Sequence, residues 1–257
     1  MKISRREFLC MAGAFTASAC IASPVVGMEA AVRVPVLLYH AISDFMREGD
    51  DYTVSPSLFA VQMEWLYNNG FHVIPLRDIA NPPVEKRVAV ITFDDGHASF
   101  IDYAFPLLRE YGFHATINVI GEFVGNNKHG GGQPMLSWDE YRYLLGSGFV
   151  DIGCHSHALH NLEHKGALGV SGEELRQDLR TFRETMFAQT GARTDILAWP
   201  FGFHDENTTD IAREEGFRYI QTTRNNFFRT PGNLLEIPRK NINDKYDIAV
   251  FRTEVKL

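Results

Sequence analysis

Arg87-Val88-Ala89-Val90-Ile91-Thr92-Phe93-Asp94-Asp95-Gly96 runs through an unbroken apolar stretch into two adjacent carboxylates and a glycine. The apolar part, Val88 to Ile91, reads as a fully buried strand. Two neighbouring carboxylates at the tip of such a strand repel each other and lose hydration, so folding alone does not favour them. A cation resolves the conflict: one Asp binds it and the other stays free to move protons. The complement lies downstream in His155-Ser156-His157-Ala158-Leu159-His160, which follows a second short apolar run, Phe149 to Gly153. One Asp with two His is a three-ligand set that leaves a metal open to water and substrate. The expected chemistry is metal-dependent hydrolysis. Spacing alone does not choose the histidine pair, because His155 and His157 share a face of an extended strand and His160 and His164 share a helical turn.

Strands and helical patterns alternate around this centre. Strands are expected at 34–39, 71–76, 87–93, 113–120, 149–153, 195–199, 219–223 and 235–238. Helices are expected from Pro56 to the stop at Gly70, over 99–111, from the capping box at Ser137 to Leu145, over 171–189 and over 205–215. Residues 121–135, with Gly130-Gly131-Gly132, read as a loop. In the first helix, Leu58, Val61, Met63, Trp65 and Leu66 are expected to form the apolar face. Seven or eight βα repeats imply a barrel or an open sheet. Asp94, Asp95, His155, Pro200 and Arg239 all follow strand C-terminal ends, where barrel active sites assemble, so a barrel is expected.

The 257 residues suffice for one large domain, expected over 32–257, with 45% hydrophobic and 22% charged residues. Outside residues 1–27 there are 22 basic and 31 acidic residues, a balance that argues against nucleic acid or an anionic membrane surface as partner. Residues 1–27 read as an export segment: Lys2, Arg5 and Arg6 precede an apolar stretch, Phe8 to Ala22, too short to span a bilayer comfortably. Ser4-Arg5-Arg6-Glu7-Phe8-Leu9 resembles the twin-arginine signal. The expected location is therefore periplasmic or cell-surface. Ala17-Ser18-Ala19 offers a cleavage site before Cys20, whose lipidation would be the one membrane contact beyond the signal. With Cys10 and Cys20 in that segment, Cys154 stands alone and is expected to be a buried small hydrophobe.

Together, Thr92-Phe93-Asp94-Asp95-Gly96, the cluster at 155–160 and Trp199-Pro200-Phe201-Gly202 resemble, in order and spacing, the motifs of polysaccharide deacetylases (carbohydrate esterase family four) over residues 34–243. The resemblance implies a distorted (β/α)7-type barrel of α/β class and removal of N-acetyl groups from an amino-sugar polymer. It selects Asp95, His155 and His160 as ligands of a divalent metal, with Zn²⁺ expected and Co²⁺ or Ni²⁺ also suited to mixed O and N donors. It makes Asp94 the catalytic base. The five-residue step from His155 to His160, with His40 after Leu38-Tyr39, is similar to the poly-β-1,6-N-acetylglucosamine deacetylases of bacterial biofilm systems, in which His40 would be the general acid. Chitin oligomers or peptidoglycan as substrates, or a noncatalytic polysaccharide-binding role, are the alternatives. Two positions depart from the family: Ala198 stands where many members have Arg, and Phe201 replaces Tyr. Arg239 is the candidate to replace the missing arginine beside Asp94, and Trp199, Pro200 and Phe201 are expected to contact substrate.

Overall fold

The computed structural model describes residues 31–45, 50–83, 86–126 and 133–256. The expected export segment 1–27 and Cys20 lie outside the described residues. Eight parallel strands build the sheet: β1 (Val36–Tyr39), β2 (Phe71–Val73), β3 (Arg87–Phe93), β4 (Ala115–Val119), β5 (Val150–Cys154), β6 (Ile196–Ala198), β7 (Tyr219–Gln221) and β8 (Lys240–Asn241). Their spatial order is β7-β6-β5-β4-β3-β1-β8, with β2 alongside the start of β3.

The two edges of this sheet meet. Ile237, just before β8, forms a parallel bridge with Gln221 of β7. Its N–H donates to the Ile220 carbonyl and its own carbonyl accepts from Thr222, both at 2.8 Å. A few residues on, Lys240 and Asn241 pair with Leu37 and Leu38 of β1. One short segment thus bridges both edges, and seven strands curl into the expected (β/α)7-type barrel in a single domain. The strand expected at 235–238 reduces to the bridge at Ile237.

Alternation along each strand separates two layers. In β3, Val88 and Val90 pack with Val36, Ile196 and Ile237 in one apolar cluster that plugs the barrel. Ala89, Ile91 and Phe93 point the other way, into the larger core beneath the helices. The same parity puts Thr92, Asn118, Gln221 and Arg239, all buried, above the plug on the inner side. Trp199 belongs to the outer layer with Leu197.

Helices α1 (Pro56–Asn68), α2 (Phe105–Tyr111), α3 (Trp138–Gly146), α4 (Gly172–Thr190), α5 (Glu206–Glu214) and α6 (Ile248–Val255) cover the barrel. Ser137 with Glu140, and Ser171 with Glu174, form capping boxes at α3 and α4. In α1 the buried face is Phe59, Gln62, Met63 and Leu66, whereas Val61 is 43% exposed. Gln62 is tolerated there because its amide bonds the Tyr39 hydroxyl and the Tyr246 carbonyl. The helix expected over 99–111 opens with a wider π-type turn, Phe100–Ala104, before α2. Among the described residues no helix is long and apolar enough to cross a membrane.

Candidate active site

At the C-terminal end of β3 the chain turns through Asp94, Asp95 and Gly96. Asp95 has φ +73° and Gly96 φ +92°. Gly96 is needed on two counts: that φ is strained for any L side chain, and a Cβ there would lie 2.2 Å from the Tyr141 hydroxyl. Asp95 adopts the same left-handed region without glycine's freedom, as do Ser156 and Phe201 nearby. Left-handed backbone at three site segments marks a place where surrounding structure over-determines the chain.

Asp94 points into the barrel and is almost fully buried. Arg239 grips it with both Nη atoms, 2.7 Å to Oδ1 and 2.7 Å to Oδ2, and the Asn118 amide donates to Oδ1 at 2.7 Å. Gln221 in turn donates to Asn118 at 2.9 Å, and the Arg239 Nε donates to the Thr222 carbonyl. Burial pushes the Asp94 carboxyl upward, but Arg239, with His155 and His40, overrides it and leaves the pKa at about 2. The guanidinium thus enters from the closing segment 237–241 rather than from position 198. Ala198 contributes its carbonyl, which lies 2.8 Å from His155 Nδ1. With a hydrogen on Nδ1, the His155 Nε2 lone pair turns toward the carboxylates.

Asp95 Oδ1 lies 3.6 Å from His155 Nε2 and 3.4 Å from His160 Nε2. One donor atom from each of Asp95, His155 and His160 falls within 4.8 Å of the others. Tetrahedral bonds of about 2.0 Å require ligand atoms roughly 3.3 Å apart, so this spacing suits a divalent cation. The decisive observation is that Asp95 Oδ1 is buried with no hydrogen-bond partner. A buried carboxylate oxygen facing two imidazole nitrogens fits a cation-binding role and is otherwise costly. Burial opposes ionisation of Asp95, yet a hydrogen bond from His97 and the charges of His40 and His155 hold it far below the usual carboxylate range.

His40, after β1, is close enough for Asp95 and Asp94 to act on its charge, although burial dominates and lowers its pKa. Its ring meets Tyr52 edge-on at 4.8 Å, and its Nδ1 is buried without a partner. Phe201 packs on His160 with ring centroids 4.4 Å apart. Trp199 is a correction to the expectation of substrate contact. It is 1% exposed and stacks parallel on His204 at 6.2 Å, because strand parity turns it to the helical layer. Pro200 is buried as well, which leaves Phe201 as the partly exposed member of that motif.

Three residues shape the site without having been anticipated. His97, buried, places Nε2 3.5 Å from Asp95 Oδ2, the oxygen turned away from the two histidines. Asn118 ties Asp94 to Gln221. Asp178 on α4 accepts the backbone N–H groups of His157 and Ala158 at 2.8 and 2.7 Å, pinning the loop between His155 and His160. For Asn118 and Gln221 the sequence held a signal, one amide near the end of each apolar strand. For Asp178 it held none.

Known proteins resemble this chain in sequence and in fold. The model of the polysaccharide deacetylase family matches residues 81–220. The chain belongs to that family. YxkH of Bacillus subtilis, named as a candidate polysaccharide deacetylase, is 29% identical over 201 residues, covering 76% of this chain. The chain spans 66% of that relative's length. The poly-β-1,6-N-acetyl-D-glucosamine N-deacetylase of Staphylococcus aureus is 26% identical over 206 residues, 77% of this chain and 70% of that one. Among solved structures, the polysaccharide deacetylase BC0361 of Bacillus cereus superposes with a TM-score of 0.74 at 25% identity, covering 88% of this chain and 70% of that chain. IcaB of Ammonifex degensii shares the fold, with a TM-score of 0.75 at 24% identity over 88% of this chain and 97% of that chain.

Proposed function

We propose that this chain is an exported, metal-dependent N-deacetylase acting on a polymer of N-acetylglucosamine, with β-1,6-linked polymer as its substrate. The observation that carries the reading is the unpartnered Asp95 Oδ1 beside His155 and His160, next to a second carboxylate held apart from them by Arg239. Support for the linkage comes from the five-residue histidine spacing, from His40 on the first strand and from the likeness to the Staphylococcus aureus enzyme. The export segment supports a periplasmic or cell-surface location.

A divalent cation held by Asp95, His155 and His160, Zn²⁺ by preference, would supply Lewis-acid polarisation of the acetamide carbonyl and of a water. The rest falls to the protein. Asp94 is ionised at neutral pH, and the Arg239 fork fixes the plane of its carboxylate. Its Oδ2, 3.9 Å from His155 Nε2, is the atom that takes the proton of the attacking water. A carboxylate so stabilised holds the water proton only briefly and gives it up to His40, which burial keeps neutral at rest. His40 then delivers it to the departing amine nitrogen, so one proton crosses from water to product. The rings of Phe201 and Phe123, both near His160, offer an apolar wall for the acetyl methyl.

Acetate release from β-1,6- and β-1,4-linked N-acetylglucosamine oligomers, with and without chelator, tests both parts. Chelator-sensitive release that favours the β-1,6 series is expected. Release only from β-1,4 oligomers would overturn the linkage, and no chelator-sensitive release from either would overturn the enzyme reading.

A further inference from the structure

A second charged site lies at the opposite end of the barrel. Arg77, Arg183, Arg193 and Arg218 line a cleft of about 500 Å³ together with Thr194, Asp195 and Gly216. Arg193 and Asp195 immediately precede β6 and Arg218 immediately precedes β7, so the cleft sits at the strands' N-terminal ends. Asp94, Asp95 and His155 follow C-terminal ends, so one site can be filled while the other works.

The charges in this cleft do not cancel. Arg77 takes both carboxylates at hand, Nη1 to Asp151 at 2.5 Å and Nε to Asp195 at 3.0 Å. Arg183 donates to the Glu215 carbonyl and lies over the Phe217 ring. Arg193 lies over the Phe187 ring at 4.1 Å. Among the described residues no carboxylate stands within ion-pair distance of Arg183, Arg193 or Arg218. Four guanidinium groups against two carboxylates leave a local excess of positive charge in a chain whose formal charge is −7. Such a cluster repels itself unless an anion joins it.

The surroundings also keep the arginines in place. A Cβ at Gly216 would lie 3.1 Å from Arg183 Nη1, so the bare backbone there leaves room for the guanidinium. Stacking on Phe187 and Phe217 covers the flat faces of two guanidinium groups, and apart from the Arg183 bond to the Glu215 carbonyl their N–H edges stay available. Planar forks of this kind match the oxygens of a phosphate group and hold it through paired, charge-assisted hydrogen bonds.

We propose that the cleft formed by Arg77, Arg183, Arg193 and Arg218 is an oxyanion site that binds a phosphate group. Two sources share this chemistry, free phosphate and the headgroup of an anionic lipid.

The test titrates inorganic phosphate into the whole chain by calorimetry at low ionic strength. In parallel, the chain is sedimented with vesicles of phosphatidylglycerol in phosphatidylcholine. Three proteins are compared: wild type, Arg193→Glu with Arg218→Glu, and Arg142→Glu with Arg213→Glu, which makes the same charge change elsewhere. Saturable phosphate binding weakened tenfold or more only by the cleft pair is the expected result. Vesicle binding lost only in the cleft pair, without binding of free phosphate, supports the site and assigns it to a headgroup. Absence of both kinds of binding, or equal losses in the two charge-reversed proteins, would overturn the proposal. All four substituted arginines have exposed or half-exposed side chains, and matching melting curves establish that each variant folds.

Discussion

Asp94 and Arg239 meet through two parallel hydrogen bonds of 2.7 Å inside the barrel, 145 residues apart in sequence. Both are nearly inaccessible to solvent, at 3% and 1% exposure, so neither charge is tolerable without the other. Arg239→Gln is expected to destabilise the fold by about 3–5 kcal/mol, the cost typical of stranding one member of a buried pair. The pair also sets a pH dependence. The folded pKa of Asp94 is about 2 against an ordinary 3.8, so its contribution is present above pH 4 and is lost as pH falls toward 2. That contribution is about 2 kcal/mol. Urea denaturation of wild type and Asp94→Asn between pH 7 and pH 2.5 checks it: the two proteins' pH dependences should diverge below pH 4. Parallel curves would remove Asp94 from the acid response.

A cation seated on Asp95, His155 and His160 binds the folded chain and not the unfolded one. At a free Zn²⁺ concentration 100 times its dissociation constant, stability rises by about 2.7 kcal/mol. Calorimetric melting of the metal-stripped chain should therefore shift upward on adding Zn²⁺, and His155→Ala should abolish the shift. A shift that survives in His155→Ala would mean that the metal sits elsewhere.

His40 follows β1, across the barrel from Ala198 of β6, whose carbonyl faces His155, and it acts on the ligand Asp95 through its charge. His40→Ala should lower kcat for acetate release by roughly 10²-fold or more, the usual worth of a positioned acid. KM and the affinity for Zn²⁺ should change little. A large loss of Zn²⁺ affinity would instead identify His40 as part of the cation site.

The centre of this fold was legible because its signals are local. An apolar run ending in Asp94-Asp95-Gly96 can be read without knowing what it packs against, and so can Ser137 with Glu140 or Ser171 with Glu174. What stayed hidden is set by tertiary contact. Lys240 and Asn241 make a strand too short and too polar to show a pattern, yet they and Ile237 close the barrel. Trp199 is expected to contact substrate as part of the motif at 199–202, whereas a one-residue step along a strand reverses the face. Asp178 sits in a helix rich in charge, where one more acid carries no signal until the loop it holds is seen. Helix α6 was not anticipated, although Asp247 caps its first turn by accepting from Ala249 and Val250.

Asp178 accepts two backbone N–H groups from the loop that separates the two ligand histidines. Asp178→Ala removes the acceptor of two part-buried amides, at a cost of about 0.5–1.5 kcal/mol each. The loop should then hold His160 less firmly, and Zn²⁺ affinity should drop while kcat at saturating Zn²⁺ recovers most of its value. Asp178→Asn keeps an acceptor oxygen and should restore part of the affinity. Competition against a fluorescent chelator reads both. Unchanged affinity in Asp178→Ala would leave the residue a purely structural role.

His97 faces the oxygen of Asp95 that the ligand histidines leave alone, 3.5 Å from Oδ2, and is buried. A carboxylate held at one oxygen presents the other in a single orientation, and removal of such outer contacts commonly weakens a metal site by 10–100-fold. His97→Phe keeps the ring's bulk and loses the donor, so Zn²⁺ affinity should fall within that range with little change in melting temperature of the metal-free chain. His97→Gln retains an N–H and should recover affinity toward wild type. If His97→Phe binds Zn²⁺ as tightly as wild type, Asp95 is oriented by its left-handed backbone alone.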